Sequence, residues 1–268
     1  MDFQTIIYEA KNQIAWVMLN RPEVMNAINH QMAGEIVSAC RLAEEDKEVR
    51  VVIFKGAGER AFSAGADLKQ SAQGAQDASS SIIERRQVKL SPGMNTQTLA
   101  VAAITKPTIA LIRGYAVGGG LEICMACDIR VAAEDAKMGL PEVRHGIMPG
   151  SGGTQRLARI VGLAKALEIC LTGELTDAKE AYRIRLVHRL VPADELLAAG
   201  EKLAVSIMKG APLSLRFTKE AIYVGSELPI EQALRLEADL SALVATTEDS
   251  KEGPRAFVEK RAPVWKGK

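Results

Sequence analysis

The amino-acid sequence predicts an α/β fold that is followed by a helical C-terminal region. Short β-branched and apolar runs alternate with helical segments over the first two thirds of the chain, and this order is typical of βαβ crossovers. From Pro192 onward the pattern is helical throughout. We therefore predict two regions, an α/β core over residues 1–195 and a helical region over residues 196–268.

The N-terminal elements are predicted to be a β-hairpin, a helix and a third strand. Two alternating segments at residues 5–8 and 14–19 have the period of paired strands. Asn29 is placed to cap a helix that extends to about residue 45, and residues 50–54 are predicted to form the next strand.

The middle of the chain contains a polar stretch, LKQSAQGAQDASSSIIERRQVKL, which we expect to be mobile. The elements expected after it are a helix that ends at about residue 105, a strand at 107–112, a helix at 121–127 and a strand at 129–132. In the helical region, apolar residues at spacings of three and four predict one apolar stripe, formed by Ala233, Leu236, Leu240 and Leu243.

The composition argues against several classes of partner. The 268 residues are 47% hydrophobic and 25% charged with a formal charge of +1, which gives no reason to expect nucleic acid or a membrane surface as partner. The N-terminal MDFQTIIYEA has an early acidic residue and no basic region, so it resembles neither a signal nor a transit peptide. We therefore expect a cytoplasmic enzyme.

Cysteine and histidine spacing predicts no metal site. Cys124 and Cys127 form a C-x-x-C pair, but no second pair or nearby histidine completes a zinc site, and their apolar surroundings predict packed core thiols. The three histidines are far apart in the chain.

One motif suggests a dinucleotide site at first. Residues 56–61 match the pattern G-x-G-x-x-A after a strand. However, Ala61 is followed by a second small-residue bend at residues 63–66 and not by a helix, and no strand ending in an acidic residue follows. The sequence therefore argues against a nucleotide fingerprint.

Two loops of small residues, Ser63–Ala66 and Gly118–Gly120, each follow a strand. Their bare backbone N–H groups could converge on one carbonyl oxygen as an oxyanion hole; alternatively, each loop is a tight turn. Glu122 and Glu142 could form a pair of carboxylates, one ionised and one protonated, that holds a water molecule. Taken singly, each would more often be a capping or solvated residue.

These motifs together resemble one family. AFSAGADLK, GYAVGGGLE, CDIRVAAEDAKMGLPEVRHGIMPGSGGTQRLAR and the terminal AFVEKR resemble the crotonase (enoyl-CoA hydratase/isomerase) superfamily, from RPEVMNA near residue 21 to the C-terminus. The resemblance implies a crotonase-like (ββα)n spiral core with a C-terminal helical trimerisation region. It also implies an acyl-CoA thioester substrate, of which coenzyme A is a part. No metal or redox cofactor is implied.

The resemblance assigns roles to individual residues. Glu142 would be the principal acid and Glu122 the base that orients water, and both match positions that the hydratases of the superfamily keep. The oxyanion hole would be formed by the N–H groups of Ala66 and Gly119. The residues expected to contact substrate or coenzyme A are Ala64, Asp67, Leu68, Lys69, Phe257 and Lys260.

Similar proteins are trimers or hexamers, in which the residues that match Phe257 and Lys260 reach the coenzyme A of a neighbouring subunit. We therefore expect a homotrimer or a hexamer, although the apolar stripe on the 229–246 helix is also consistent with packing within one chain.

Departures from the family pattern leave alternatives open. Glu23 stands where hydratases often carry a lysine, and the polar segment after Lys69 is longer than in short-chain hydratases. The paired carboxylates favour hydration of trans-2-enoyl-CoA. The alternatives are enoyl-CoA isomerisation or another crotonase-type reaction, and a non-catalytic RNA- or protein-binding role. A serine hydrolase is argued against, because Pro149 precedes Gly150-Ser151-Gly152 and the G-x-S-x-G pattern is absent.

Overall fold

The computed structural model describes residues 2–67 and 96–268. Leu68, Lys69 and the polar segment that was expected to be mobile lie outside the described residues. The chain divides into two compact units. One comprises Met1–Ile104 and Thr108–Glu201, and the other comprises Thr105–Pro107 and Lys202–Lys268.

The described part of the chain contains ten strands, which form two sheets. They are β1 (Ile6–Lys11), β2 (Ile14–Leu19), β3 (Val51–Gly56), β4 (Ala61–Ser63), β5 (Thr108–Ile112), β6 (Tyr115–Val117), β7 (Ile129–Ala133), β8 (Lys137–Gly139), β9 (Thr176–Asp177) and β10 (Arg189–Val191).

The same residues form ten α-helices. They are α1 (His30–Glu45), α2 (Thr96–Ala103), α3 (Gly119–Ala126), α4 (Gly153–Val161), α5 (Leu163–Thr172), α6 (Ala178–Arg183), α7 (Leu196–Met208), α8 (Pro212–Gly225), α9 (Ile230–Ala245) and α10 (Asp249–Val258).

The order of the strands confirms the predicted spiral. One sheet has the order β1-β2-β3-β5-β7-β10 and the other has β4-β6-β8-β9, so from β3 to β8 successive strands are placed alternately in the two sheets. Within this stretch all neighbouring strands are parallel. Because parallel strands need crossover connections, helices such as α3 return the chain to the start of the next repeat.

The first unit has one apolar core. Every residue of β5 is buried, as are the first four of β3, which is typical of parallel strands covered on both faces. Buried side chains of these strands pack with those of α1 and α3, and Cys124 and Cys127 lie fully buried among them, as predicted.

The predicted hairpin and the cap of α1 are also confirmed. Strands β1 and β2 pair antiparallel around Asn12 and Gln13, which have φ of 52° and 63°. The side chain of Asn29 accepts a hydrogen bond from the Met32 N–H at 2.8 Å and caps α1. Helix α3 begins two residues earlier than expected, because Gly119 and Gly120 form its first turn.

The second unit consists mainly of helices and ends in an extended tail. In the predicted stripe on α9, Leu240 is buried but Leu243 is 52% exposed within this single chain. The buried carboxylate of Asp249 accepts hydrogen bonds from the N–H groups of Lys266 and Gly267 at 2.7 and 2.9 Å, which fixes the tail against α10. No helix among residues 2–67 and 96–268 combines the length and apolar character that crossing a bilayer requires.

Candidate active site

The two small-residue loops meet at one place in the first unit. A Cβ atom built on Gly119 would lie 3.7 Å from the Ala66 nitrogen, and one built on Gly65 would lie 3.2 Å from the Gly119 nitrogen and 2.7 Å from the Val117 oxygen. This close approach, together with a φ of +88°, requires glycine at position 65. The folded chain therefore brings the two predicted oxyanion-hole residues side by side.

Both N–H groups are available to a ligand. The Ile28 backbone bonds to the residues on either side of Ala66, since it donates to the Gly65 oxygen at 2.7 Å and accepts from the Asp67 N–H at 2.9 Å. The N–H of Ala66 thus points away from Ile28. That of Gly119 opens α3, where the helix leaves it without an internal acceptor. Neither N–H donates to another described residue.

Gly118 connects these donors to the carboxylates. Its φ of 52° and ψ of −126° are accessible to glycine and to few other residues. A Cβ atom at this position would lie 3.1 Å from Glu142 Oε1, so the backbone before α3 forms part of the wall around that carboxylate. Glu122 lies one turn further along the same helix, and its N–H donates to the Gly118 oxygen.

The Glu122 carboxylate is held from the start of a second helix. Its Oε1 accepts hydrogen bonds from the N–H groups of Ser151 at 2.7 Å and Gly153 at 2.8 Å, immediately before and within the first turn of α4. The side chain is only 3% exposed. Burial raises the pKa of Glu122, while these backbone donors, the Ser151 side chain and the nearby Arg156 charge act in the opposite direction.

The Glu142 carboxylate is in a different environment. It begins a short 3-10 turn, Glu142–His145, and its buried Oε2 has no hydrogen-bond partner among the described residues. Burial, with a further contribution from the charge of Glu122, raises the pKa of Glu142 to about 7. Near neutral pH the pair can therefore hold one proton between its two members.

A thiol lies close to the pair. Cys170 on α5 is half-buried. Burial and the charges of Glu142 and Glu122 raise the pKa of its thiol, so it stays protonated near neutral pH. The pair therefore shares its surroundings with a neutral sulfur group and not with a second base.

The structure describes some, but not all, of the residues that were predicted to contact substrate or coenzyme A. Ala64 is half-buried, and its N–H bonds to the Met25 oxygen. The Asp67 carboxylate accepts a hydrogen bond from Arg21 Nη1 at 3.0 Å. Leu68 and Lys69 lie outside the described residues. Phe257 and Lys260 are exposed residues of the second unit, at and just after the end of α10, and their predicted contact with coenzyme A stays a prediction.

Sequence reasoning missed the residues that hold Glu122. Ser151, Gly153 and Arg156 were noted only inside a longer motif or as part of an excluded serine-hydrolase pattern. A usable signal was present, because Gly152-Gly153 before an amphipathic run marks a helix start, where N–H groups attract a carboxylate. By contrast, the rejected dinucleotide motif leads into a strand, since Ala61 is the first residue of β4.

The fold and site define a class of protein: an α/β spiral that places one buried and one half-buried carboxylate beside a pair of free backbone donors. The chain belongs to the enoyl-CoA hydratase/isomerase family, whose model matches residues 9–268. The predicted family is thereby confirmed.

Individual relatives agree with this assignment over nearly their full lengths. The crotonyl-CoA hydratase of Syntrophomonas wolfei is 40% identical, with 97% of each chain covered. The (E)-benzylidenesuccinyl-CoA hydratase of Thauera aromatica is 38% identical, with 98% of this chain and 99% of that protein covered. The crystal structure of an enoyl-CoA hydratase from Bacillus anthracis matches with a TM-score of 0.90 at 36% identity, over 99% of this chain and 100% of that one.

Proposed function

We propose that the protein is an enoyl-CoA hydratase, a hydro-lyase that adds water across the C2=C3 double bond of trans-2-enoyl-CoA thioesters to give 3-hydroxyacyl-CoA. The observation that carries the proposal is the retention of both carboxylates in unlike environments, Glu122 on backbone donors and Glu142 with a buried free oxygen. Hydration needs a base for water and an acid for C2, and this pair can supply one of each.

The N–H groups of Ala66 and Gly119 would bind the thioester oxygen. When the oxygen of water attacks C3, negative charge moves through C2 to this oxygen, and two preorganised donors stabilise the resulting enolate. Gly119 opens α3, so the helix dipole adds to the stabilisation.

The carboxylate pair would move the two protons. Glu122 takes one proton from the water whose oxygen forms the bond to C3, and Glu142 gives its proton to C2 as the enolate collapses. The pair holds one proton before and after the reaction, so the step is balanced without an external acid.

The family also suggests which parts of the chain bind the substrate and which form the oligomer. Residues 1–195 would bind acyl-CoA, with Ala64, Asp67, Leu68 and Lys69 along the substrate. Residues 196–268 would mediate a homotrimer or hexamer and bring Phe257 and Lys260 to a neighbouring subunit.

The proposed reaction needs no metal or redox cofactor, because addition of water requires only acid–base and electrostatic groups. We place the enzyme in the cytoplasm.

Loss of the conjugated enoyl-thioester absorbance of crotonyl-CoA tests the proposal. We expect rapid loss with the wild-type protein and a rate at least about a hundredfold lower for Glu122→Gln and for Glu142→Gln. Gln has nearly the shape of Glu, so a folded variant with a low rate reports the lost acid–base group.

The opposite result would redirect the assignment. If the wild-type protein leaves crotonyl-CoA and longer or branched 2-enoyl-CoA esters unchanged, the hydratase proposal is wrong. Conversion of a 3-enoyl-CoA to its conjugated isomer would then identify an isomerase.

A further inference from the structure

Ser63, at the end of β4, is the first residue of the loop Ser63–Ala66, called the oxyanion loop below, and its side chain makes two hydrogen bonds. Its side chain is fully buried. The hydroxyl donates to the Asn26 oxygen at 2.8 Å and accepts from the Gly65 N–H at 3.1 Å. The buried hydroxyl thus uses its one proton to bond to the Asn26 backbone and accepts a hydrogen bond from within the loop that leads to Ala66.

The second of these bonds restrains the most flexible residue of the loop. Gly65 has a φ of +88° and, as a glycine, could rotate more freely than any other residue there. The peptide unit before it is fixed by the Ser63 hydroxyl, and the unit after it by the Ile28 N–H, which donates to the Gly65 oxygen. Both dihedral angles of Gly65 are therefore restrained by named hydrogen bonds.

This restraint sets the direction of the Ala66 N–H. A trans peptide unit is planar, so its N–H points opposite to its carbonyl oxygen. With the Gly65 oxygen held on Ile28, the Ala66 N–H points to the other side, toward Gly119. Rotation about the backbone dihedral angles of Gly65 would therefore turn the Ala66 N–H away from the Gly119 N–H.

Ser63 also contacts the helix that supplies the second donor. A Cβ atom on Gly120 would lie 2.6 Å from the Ser63 backbone oxygen and 2.7 Å from the Ser63 Cβ, so the first turn of α3 packs directly on this residue. The same side chain therefore orients the loop of one donor and lies against the helix turn of the other.

We propose that Ser63 is a positioning residue for the oxyanion hole. It holds the Ala66 N–H in the direction that lets this group and the Gly119 N–H donate to the same oxygen. The inference rests on the proposed function, because it assumes that these donors bind a thioester oxygen. Ser63 itself touches no reacting atom.

The test uses a thioester that reports its own polarisation. The long-wavelength absorption of 4-dimethylaminocinnamoyl-CoA shifts to the red when its carbonyl oxygen receives hydrogen bonds. We expect a red shift on binding to the wild-type protein and less than about half of it with Ser63→Ala, with kcat for crotonyl-CoA about tenfold lower and KM within about twofold.

Two further variants serve as controls for the loss of the hydroxyl. Ser38→Ala removes the hydroxyl of a partly exposed serine of α1 that donates to the Gly34 oxygen, and it should leave the red shift and kcat unchanged. Ser63→Cys fills nearly the same space with a much weaker hydrogen-bonding group and should lose the shift to a similar degree.

Each outcome decides the inference. If Ser63→Ala keeps the full red shift and kcat, or only lowers Tm, the positioning role is wrong although the wild-type enzyme is a hydratase. The shift depends on binding alone, so it still tests Ser63 if the wild-type protein fails to hydrate crotonyl-CoA. Absence of a shift with the wild-type protein overturns both the oxyanion hole and the role of Ser63.

Discussion

Glu122 and Glu142 are chemically identical, and the atoms around them make them different. Glu122 is the more buried, but it receives two backbone hydrogen bonds from the start of α4, and such donors favour the ionised form. Glu142 has one buried oxygen without a partner among the described residues, and its pKa rises to about 7. This difference supports the proposed roles of Glu122 as the base and Glu142 as the acid.

The first prediction concerns the pH dependence of hydration. The active form has one proton on the pair, and the pKa of Glu142 of about 7, raised by burial and by the charge of Glu122, sets its upper limit. We therefore expect kcat/KM for crotonyl-CoA to fall as the pH rises above about 7, measured by the loss of absorbance.

Dehydration of 3-hydroxybutyryl-CoA provides the control. The overall equilibrium takes up no proton, so kcat/KM in that direction must show the same pH dependence. A profile that stays flat from pH 6 to 9 in both directions would contradict the assignment of Glu142 as the acid.

The second prediction concerns stability. The pKa of Glu142 is about 7 in the folded chain, against an ordinary value of 4.5, so the folded state binds this proton more tightly. Ionisation of Glu142 therefore lowers the free energy of unfolding as the pH rises from 4.5 through 7, and the full cost is present above 7. Glu142→Gln should remove this cost.

Denaturant unfolding at pH 5 and pH 8 measures this effect. We expect Glu142→Gln to be stabilised relative to wild type by about 1–2 kcal/mol more at pH 8 than at pH 5. An equal difference at the two pH values would show that the carboxylate is not strained by burial.

At the level of elements, the site is built where helices begin. Helix α3 presents the Gly119 N–H at its first residue, and α4 presents the Gly153 N–H, which holds Glu122, at its own first residue. Free N–H groups in a first turn need partners, and a thioester oxygen and a carboxylate are both suitable. Small residues at these starts let the partners come close.

The third prediction tests this close approach with Gly153→Ala. The new Cβ would lie 2.7 Å from Glu122 Oε1 and 3.0 Å from the Pro149 side chain. Since the backbone and the carboxylate must separate, we expect kcat to fall at least about tenfold and the free energy of unfolding to fall by about 1–3 kcal/mol.

Gly34→Ala is the matched control for this change. A Cβ on Gly34, within α1, would meet nothing within 4 Å. Alanine favours the helix over glycine, so the variant should gain about 0.5–1 kcal/mol of stability and keep its kcat. Unchanged kcat in both variants would mean that the start of α4 does not control Glu122.

At the level of the whole molecule, the two-sheet spiral assembles the site from distant parts of the chain. Strands β4 and β6 pair in parallel, and the oxyanion loop and α3 follow their carboxyl ends. The next repeat, through β8, delivers the turn that carries Glu142. Four functional groups that span residues 66–142 thus meet because each repeat returns the chain to the same edge.

The fourth prediction is the oligomeric state. Three chains of 28.8 kDa would give a particle of about 86 kDa, and a dimer of trimers would give twice that mass. Side chains such as Ile230 and Phe257, 68% and 85% exposed in a single chain of the second unit, are candidates for burial on assembly. Sedimentation velocity at micromolar concentration measures the mass, and a monomer would contradict the expectation.

From the proposed oligomer we also predict the kinetics of Phe257→Ala. If this residue contacts coenzyme A across a subunit boundary, KM for crotonyl-CoA should rise several-fold, because binding energy far from the reacting atoms is lost, while kcat changes little. Val258→Ala, at a neighbouring residue that is 79% exposed, is the control. Equal KM values for both variants and wild type would remove Phe257 from the binding site.

Local patterns in the sequence were sufficient for much of the fold. The hairpin, the Asn29 cap and strands β3, β5 and β7 depend on short-range periodicity and capping, so they could be placed to within a few residues. The motifs also indicated Ala66, Gly119, Glu122 and Glu142 as a group. The hydrogen bonds from Ser151 and Gly153 to Glu122 span 29 and 31 residues, and no local pattern encodes such a pairing.

By itself, the sequence determined the family, the alternation of strands and helices, and which residue types could do the chemistry, because these depend on order and spacing along the chain. Tertiary structure decided which carboxylate is tied to backbone donors, which has a buried free oxygen, and that the Ser63 hydroxyl restrains Gly65. These features depend on desolvation and on hydrogen bonds between groups that become neighbours only when the chain folds into the spiral.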